Sequence, residues 1–137
     1  MINYDKLEKV GEYRNGELNI WFKPVYGKDE GVVYLLRLGN DYYIGSSSNL
    51  KKRIYSHIQS LRSGKHSSPL VQKAFNNTTS FEVYLLMRTY NRIQNMQMAE
   101  QGFILLLNPP LNGTLPKGSK NPFIEFIWKS KGEDYIP

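Results

Sequence analysis

A short β-hairpin followed at once by a helix is the feature that most limits what this 137-residue chain can fold into. Residues 32–38 form a strongly apolar strand, residues 39–41 have the Gly-Asn-Asp composition of a turn, and residues 42–45 resemble a second strand. Residues 46–49 offer helix N-cap side chains. The helix is predicted to run to about residue 63, because its apolar residues recur at helical spacing: Leu50, Ile54, Ile58 and Leu61.

The rest of the central segment adds three further elements. A second helix is predicted from Pro69 to Phe75, after the cap candidates Ser67 and Ser68. A strand is predicted over residues 80–87 and a last helix over residues 92–107, which Asn-Pro-Pro terminates. The resulting order, β-β-α-α-β-α, predicts a compact α/β (α+β) arrangement.

The two ends of the chain are harder to interpret. Residues 4–10 are compatible with a short helix, and residues 18–22 alternate like a strand. The tail over residues 116–137 begins rich in Gly, Pro and Lys and then carries aromatic residues that either pack back on the domain or hold a partner: Phe123, Phe126 and Trp128. Neither end repeats the other or has low complexity.

Charge is concentrated in the middle of the chain. Residues 31–120 hold eleven Lys and Arg against three Asp and Glu, a net charge of +8, while both ends are nearly neutral. A polyanion is the natural partner of such a segment, and a basic surface that only confers solubility is the alternative.

Composition also excludes several classes of protein. The chain has no cysteine, which excludes a disulfide scaffold, a zinc–cysteine site and a thiol nucleophile. No secretory signal and no membrane-spanning apolar run is visible, so we expect an intracellular, cytoplasmic protein with no membrane partner. The motifs of zinc proteases, P-loop proteins, serine hydrolases and dinucleotide-binding proteins are absent.

Two polar side chains lie together on the first predicted helix. Arg53 and His57 are four residues apart, so they are neighbours on the helix surface, at the rim of its apolar stripe. From there they would point into a cleft. The alternative is a solvated arginine in a basic triplet and a satisfied surface histidine.

The last predicted helix places a carboxylate on an apolar face. Glu100 lies four residues after Met96 and three before Phe103. A lone buried carboxylate needs a cation or strong donors. A divalent metal such as Mg²⁺ or Mn²⁺ and a buried ion pair with arginine satisfy this need equally well.

Tyrosines occupy both strands of the predicted hairpin. Tyr34 lies on the first strand, and Tyr42 and Tyr43 lie on the second. Such residues usually fill a core or an interface. A tyrosine takes part in proton transfer when a nearby cation lowers its pKa.

The ordered motifs resemble one known family. The segments Gly31-Val32-Val33-Tyr34 and Tyr43-Ile44-Gly45 resemble the GIY-YIG nuclease signature, with valine where the first element usually has Gly or Ile. Four later segments, in order and at the family's spacing, are similar to its remaining motifs, and the stretch around His66 is typical of phage and intron homing endonucleases. They are residues 46–53, which end at Arg53 and are followed one turn later by His57, residues 64–75 with His66, Glu100-Gln101, and residues 107–112 with Asn112.

This resemblance implies a fold, a boundary and an activity. The implied fold is a small three-stranded antiparallel sheet flanked by helices. Residues 31–115 would be the GIY-YIG nuclease domain, residues 1–30 an N-terminal extension with a packing or accessory role, and residues 116–137 a C-terminal tail. The implied activity is metal-dependent hydrolysis of DNA, by a homing-type enzyme of a phage or mobile element.

The resemblance also implies roles for individual residues. Glu100 would hold one Mg²⁺ or Mn²⁺ ion, Arg53 would clamp phosphate oxygens, and Tyr34 would be the general base. The remaining residues would support them: Tyr43 and His57 by positioning or sharing protons, His66 by placing water or substrate, Asn112 by orienting the site, and Gly45 by letting the strand turn closely into the helix that bears Arg53.

DNA is the implied partner. Five basic side chains are candidates for contacts with backbone phosphates, which position DNA without reading its sequence: Lys51, Lys52, Arg62, Lys65 and Lys73. A homodimer on DNA would allow double-strand cleavage, since one active site cuts one strand at a time. A restriction or repair nuclease of the same fold and a catalytically silent DNA-binding module are the alternatives. The silent module is disfavoured because Tyr34, Arg53 and Glu100 are all present.

Overall fold

The computed structural model describes residues 2–27, 30–90 and 93–112, with no side chains described for residues 93–95. Five antiparallel strands form one sheet in the order β2-β1-β5-β3-β4. The strands are β1 (Glu8–Arg14), β2 (Glu17–Ile20), β3 (Glu30–Leu38), β4 (Asp41–Ser47) and β5 (Phe81–Tyr90). The helices are α1 (Leu50–Arg62), α2 (Pro69–Thr78) and α3 (Ile93–Leu107). The predicted tail over residues 116–137 lies outside the described residues.

The element order predicted for the central segment is confirmed, from β3 through α3. The prediction of a three-stranded sheet is wrong, because two more strands come from the N-terminal residues. β1 pairs antiparallel with β5, with Tyr13 opposite Phe81, and β2 then pairs with β1. The sheet is thus extended on the side away from β4.

The expectation of a helix over residues 4–10 is also wrong. Only Tyr4–Lys6 forms one turn of 3-10 helix, and β1 follows directly. Val10 and Tyr13 of β1 are buried in the core. Pairing with the edge of β5 therefore overrides a weak local preference, as long-range strand pairing often does.

The two faces of the sheet are covered by different helices. One apolar cluster joins α1 and α2 to the face of β3 that carries Tyr34 and Leu36. A second cluster joins α3 to the opposite face, which carries Val33 and Leu35. This alternation follows from the period of two along a strand, and it makes β3 buried on both sides.

Both helices begin where their sequences predict, and α1 also ends there, whereas α2 continues to Thr78, three residues beyond the predicted Phe75. The Asn49 side chain caps α1 by accepting from the Lys52 main-chain N–H at 3.1 Å. Gly64, with a φ of +72°, follows α1 in the left-handed conformation that glycine adopts without strain. Ser68 caps α2, whose first residue is Pro69. No helix among the described residues is long and apolar enough to cross a bilayer.

Candidate active site

Tyr34 lies at the centre of the site, fully buried, and its neighbour on β4 is Gly45. A Cβ atom at position 45 would stand 2.5 Å from the Tyr34 hydroxyl and 2.6 Å from the ring carbon that bears it. Gly45 lies inside β4, so its absent side chain leaves room for the phenol. This reason differs from the turn into α1 that the sequence led us to expect.

A chain of hydrogen bonds runs from Tyr34 under α1. The Tyr34 hydroxyl lies 2.7 Å from His57 Nε2, and His57 Nδ1 lies 2.8 Å from His66 Nε2. The main-chain N–H of Ser68 then donates to His66 Nδ1 at 3.0 Å. The structure thus brings His66 to His57, although the two residues belong to different segments of the chain.

Both imidazoles are held in the neutral form. Burial, with the nearby charge of Arg53 and with His66, lowers the pKa of His57 to about 3. Burial also lowers the pKa of His66. His57 is only 2% exposed, so the alternative of a satisfied surface histidine is wrong.

Arg53 lies at the exposed rim of α1, one turn before His57. Its positive charge lowers the pKa values of Tyr34 and Tyr43. Burial is nevertheless the largest influence on both phenols, and the net effect raises both pKa values. Arg53 therefore favours the Tyr34 phenolate, as we expected of a nearby cation, but burial opposes it, and the general-base role stays a prediction.

Tyr43 lies on the same face of the sheet as Tyr34. Its ring meets the His57 ring edge-on, with the centroids 5.8 Å apart. Tyr42 points to the other face, where its hydroxyl donates to the Leu107 carbonyl. Of the neighbouring pair, Tyr43 is thus the tyrosine placed beside the histidine and the arginine.

Glu100 approaches the same place from the opposite side of the sheet. It lies on α3, half-buried at the border of the apolar face, and not in the middle of it as we expected. The Ser46 hydroxyl of β4 donates to its carboxylate at 3.1 Å. Burial raises the pKa of Glu100, while Ser46 and the charge of Arg53 lower it.

Strand β4 is the edge of the sheet, so groups from the two faces meet across it. The charge of Arg53 lowers the pKa of Glu100 there, and the charge of Glu100 raises the pKa values of Tyr34 and Tyr43. None of the four ion pairs among the described residues includes Glu100. Its carboxylate is thus partly desolvated and lacks the direct ion pair with arginine that was one of the two expected solutions.

The match to a family model decides the family of the chain. A model of the GIY-YIG catalytic domain matches residues 30–112, which include every residue of the site. The chain belongs to the GIY-YIG family. No curated protein matches it.

Solved GIY-YIG structures share the fold. A mutant of the catalytic domain of the intron endonuclease I-TevI is 26% identical, with a TM-score of 0.55, over 66% of this chain and 97% of that one. The catalytic domain of the homing endonuclease I-TevI is 28% identical, with a TM-score of 0.53, over 61% of this chain and 94% of that one. The antiparallel α+β arrangement of this chain is thus that of a GIY-YIG domain.

The site offers few protein ligands to a divalent cation. In the described ranges, no three His, Cys, Asp or Glu side chains are grouped so that they could hold a metal. Glu100 is the carboxylate available, and the Ser46 hydroxyl lies beside it. A partly desolvated carboxylate without an ion pair suits a hard cation whose other ligands are water and phosphate.

Asn112 supports the edge of the GIY-YIG sheet. Its side-chain amide accepts from the main-chain N–H of Ile44 and donates to the Ile44 carbonyl, both at 2.8 Å. The amide therefore pairs with β4 as a neighbouring strand would. It fixes the strand that carries Tyr43, Gly45 and Ser46.

The basic side chains expected at the DNA differ in their surroundings. All five are exposed, and four of them lie in two pairs, at the start of α1 and around α2: Lys51, Lys52, Lys65 and Lys73. Arg62 instead binds the N-terminal hairpin, donating to the Tyr13 hydroxyl and to the Gly16 carbonyl, each at 3.1 Å.

Two contributors to the site are not apparent in the sequence reasoning. The sequence indicated Ser46 only as a candidate helix cap, although its position directly after Gly45 could have suggested that it lies in the site, where it binds Glu100. Ser68 contributes through its main-chain N–H. A main-chain donor has no residue-type signal, so only the structure reveals it.

Proposed function

We propose that this protein is a metal-dependent DNA endonuclease that hydrolyses phosphodiester bonds. The observation that carries the proposal is the meeting of Arg53 and Glu100 across the β4 edge, beside Tyr34 and Tyr43. A cationic clamp, an unpaired carboxylate and a phenol are the groups that hydrolysis of a charged ester needs.

Arg53 binds the scissile phosphate in this proposal. Its exposed guanidinium offers paired N–H donors to the phosphate oxygens and offsets the negative charge that grows on them during the reaction. Tyr43 and His57 border Arg53 and Tyr34 and keep the phenol in place.

Tyr34 is the proposed general base. The oxygen of a water molecule bonds to phosphorus while the proton of that water passes to Tyr34, and the bond from phosphorus to the leaving sugar oxygen breaks, after which that oxygen takes a proton from solvent. Because burial raises the pKa of Tyr34, the phenol must first lose its own proton to solvent water, and the charge of Arg53 favours that loss.

Glu100, with Ser46 beside it, would hold one Mg²⁺ or Mn²⁺ ion. When bound, the ion supplies Lewis-acid polarisation of the phosphate. Because the described residues hold no group of three His, Cys, Asp or Glu side chains that could bind a metal, a single ion fits better than a pair.

DNA is the proposed substrate. Lys51 and Lys52 lie exposed on the turn of α1 that carries Arg53, so they can reach phosphates beside the scissile one. Lys65 and Lys73 extend this basic surface towards α2, and Arg62 is a weaker candidate because the hairpin binds it.

A homing-type enzyme of a phage or mobile element is the proposed biological class, since the similar structures are catalytic domains of an intron endonuclease and a homing endonuclease. A restriction or repair nuclease of the same family is the alternative. Residues 31–115 would carry the chemistry inside the cell, with residues 1–30 as an accessory extension, and a homodimer would cut both strands.

The test is plasmid cleavage by the full chain with Mg²⁺ or Mn²⁺, repeated with EDTA and with Glu100→Ala. We expect nicked or linear DNA with the metal and none in either control. Glu17→Ala, which removes an exposed carboxylate on β2, is the matched control and should cleave normally. Cleavage that persists in EDTA or in Glu100→Ala would refute the role of the metal at Glu100, and no cleavage with either metal would refute the nuclease itself.

A further inference from the structure

The direction of every hydrogen bond in the chain from Ser68 to Tyr34 can be worked out from one fixed donor. A main-chain N–H can only donate, so His66 Nδ1, which lies 3.0 Å from the Ser68 nitrogen, carries no proton. His66 is therefore neutral, and its proton is on Nε2.

The protonation of the His57 ring follows in the same way. His66 Nε2–H points to His57 Nδ1 at 2.8 Å, so that nitrogen accepts and carries no proton. The two rings lie within 12° of parallel with their centroids 5.0 Å apart, which suits imidazoles that meet edge to edge. The proton of neutral His57 is then on Nε2.

His57 Nε2–H in turn faces the Tyr34 oxygen at 2.7 Å. The Tyr34 oxygen accepts this bond, and its own proton must point elsewhere. His57 has no free lone pair for that proton, because Nε2 carries a hydrogen and Nδ1 is already an acceptor.

We propose that the main-chain N–H of Ser68 sets the polarity of this histidine relay, which we define as His66, His57 and Tyr34, so that His57 donates to Tyr34. His66 is thereby a positioning residue that acts through His57, and not a residue that places water or substrate. The relay holds the Tyr34 oxygen as an acceptor and leaves its proton to point away from His57.

This arrangement differs from a catalytic triad in its direction. In a triad an acidic group accepts from the histidine, and the histidine accepts from the nucleophile. Here the outer partner donates, and burial keeps both rings neutral, since it lowers both pKa values. The relay stabilises negative charge on Tyr34 by donation and does not remove its proton.

This inference rests on the proposed function for its consequence, but its geometry can be tested without activity. The chain holds only two histidines, so a long-range ¹H–¹⁵N spectrum of the full, tag-free chain at pH 7.5 contains only their two imidazoles. We expect both rings to be protonated at Nε2 and bare at Nδ1. A wild-type spectrum that places the His57 proton on Nδ1 would overturn the proposal, whatever the nuclease activity.

Two substitutions at His66 test the functional consequence. His66→Gln keeps an N–H donor towards His57, whereas His66→Glu offers only an acceptor. We expect the glutamate to move the His57 proton to Nδ1 and to lower kcat at least tenfold with KM nearly unchanged. The glutamine should keep the His57 Nε2–H form and stay within a few-fold of the wild-type kcat.

The outcomes separate the two proposals. If His66→Glu cleaves as fast as the wild type, or faster, then donation from His57 to Tyr34 is not needed for cleavage, and the proposed consequence of the polarity is wrong. Should the spectra show the expected forms in a protein that cleaves no DNA, the polarity stands and the proposed function fails.

Discussion

The two halves of the site are built in opposite ways. The histidine relay lies under α1, with His57 and Tyr34 buried and His66 half-buried, and has its hydrogen bonds directed by one main-chain group. The charged edge, which we define as Arg53, Ser46 and Glu100, lies half-exposed where β4 ends the sheet. The fold thus separates positioning from charge. The two histidines, which position Tyr34 and stay neutral, are held away from water, while the groups that meet a charged substrate stay near it.

The largest expected effect comes from the charged edge. Arg53→Ala should slow cleavage about a thousandfold, because it removes the cation that offsets charge developing on the phosphate. DNA binding should weaken only a few-fold, since the lysines remain. Single-turnover cleavage and a binding titration measure the two quantities.

The matched control for that variant is Arg14→Ala, which removes an exposed arginine from β1. It should cleave as the wild type does. If Arg53→Ala cuts at the wild-type rate, the charged edge does not accelerate cleavage through the charge of Arg53.

The second-largest expected effect comes from the packing of Gly45 against Tyr34 of the relay. Gly45→Ala would place a Cβ 2.5 Å from the Tyr34 hydroxyl, so the phenol or β4 must shift. We expect a loss of about 3 kcal/mol of stability in urea unfolding, the upper range for overpacking, and a large fall in cleavage.

Gly16, at the turn between β1 and β2, provides the comparison. Its φ is +80°, and a Cβ atom added there would have no neighbour within 4 Å. Gly16→Asn, a residue that tolerates this conformation, should retain activity and most of the stability. Equal losses in Gly16→Asn and Gly45→Ala would show that space beside Tyr34 is not the reason for Gly45.

A smaller effect is the dependence of stability on pH. Burial lowers the pKa of native His57 to about 3, below its unfolded value of 6.5. As pH falls below 6.5 the unfolded chain binds a proton that the native chain does not, so stability decreases. From pH 6.5 to pH 5 the loss is about 2 kcal/mol.

Urea unfolding at a series of pH values measures this loss, with His57→Gln as the reference. The raised pKa of Glu100 acts in the opposite direction, but it is common to both proteins and cancels in the comparison. The variant should show a shallower decline between pH 6.5 and pH 5. A decline as steep in His57→Gln would mean that another group titrates.

The smallest effect belongs to Ser46. Ser46→Ala removes the hydrogen bond to Glu100, which is worth about 1 kcal/mol, so cleavage should fall roughly fivefold. In Glu100→Gln the same substitution should have little further effect, since the two residues act as one unit. Additive losses in the double variant would place Ser46 outside the charged edge.

The sequence predicted the parts of the fold that depend on local patterns. The hairpin of β3 and β4, the caps of α1 and α2 and the order of the central elements follow from periodicity and turn residues within short windows. The alternation over residues 18–22 also indicated β2, but β1 was not predicted, because it gains its stability from β5, some seventy residues away. A short amphipathic segment has no local signal for such pairing.

The site shows the same division. Arg53, His57 and Glu100 were singled out because their residue types are unusual beside apolar stripes, but only the family resemblance gave them roles in the site. Two properties of Tyr34 were not: its pKa is raised by burial, and its hydroxyl is bonded to His57. Burial and hydrogen-bond direction depend on groups that meet only after folding.

The most direct test of the account is where Mn²⁺ binds. Anomalous scattering from crystals of the protein soaked in MnCl₂ locates the ion independently of activity. We expect a peak at the Glu100 carboxylate, at the distance of about 2.0–2.6 Å at which hard cations bind oxygen, on the side that faces Arg53. A peak at some other carboxylate, with Glu100 bonded only to Ser46, would contradict it.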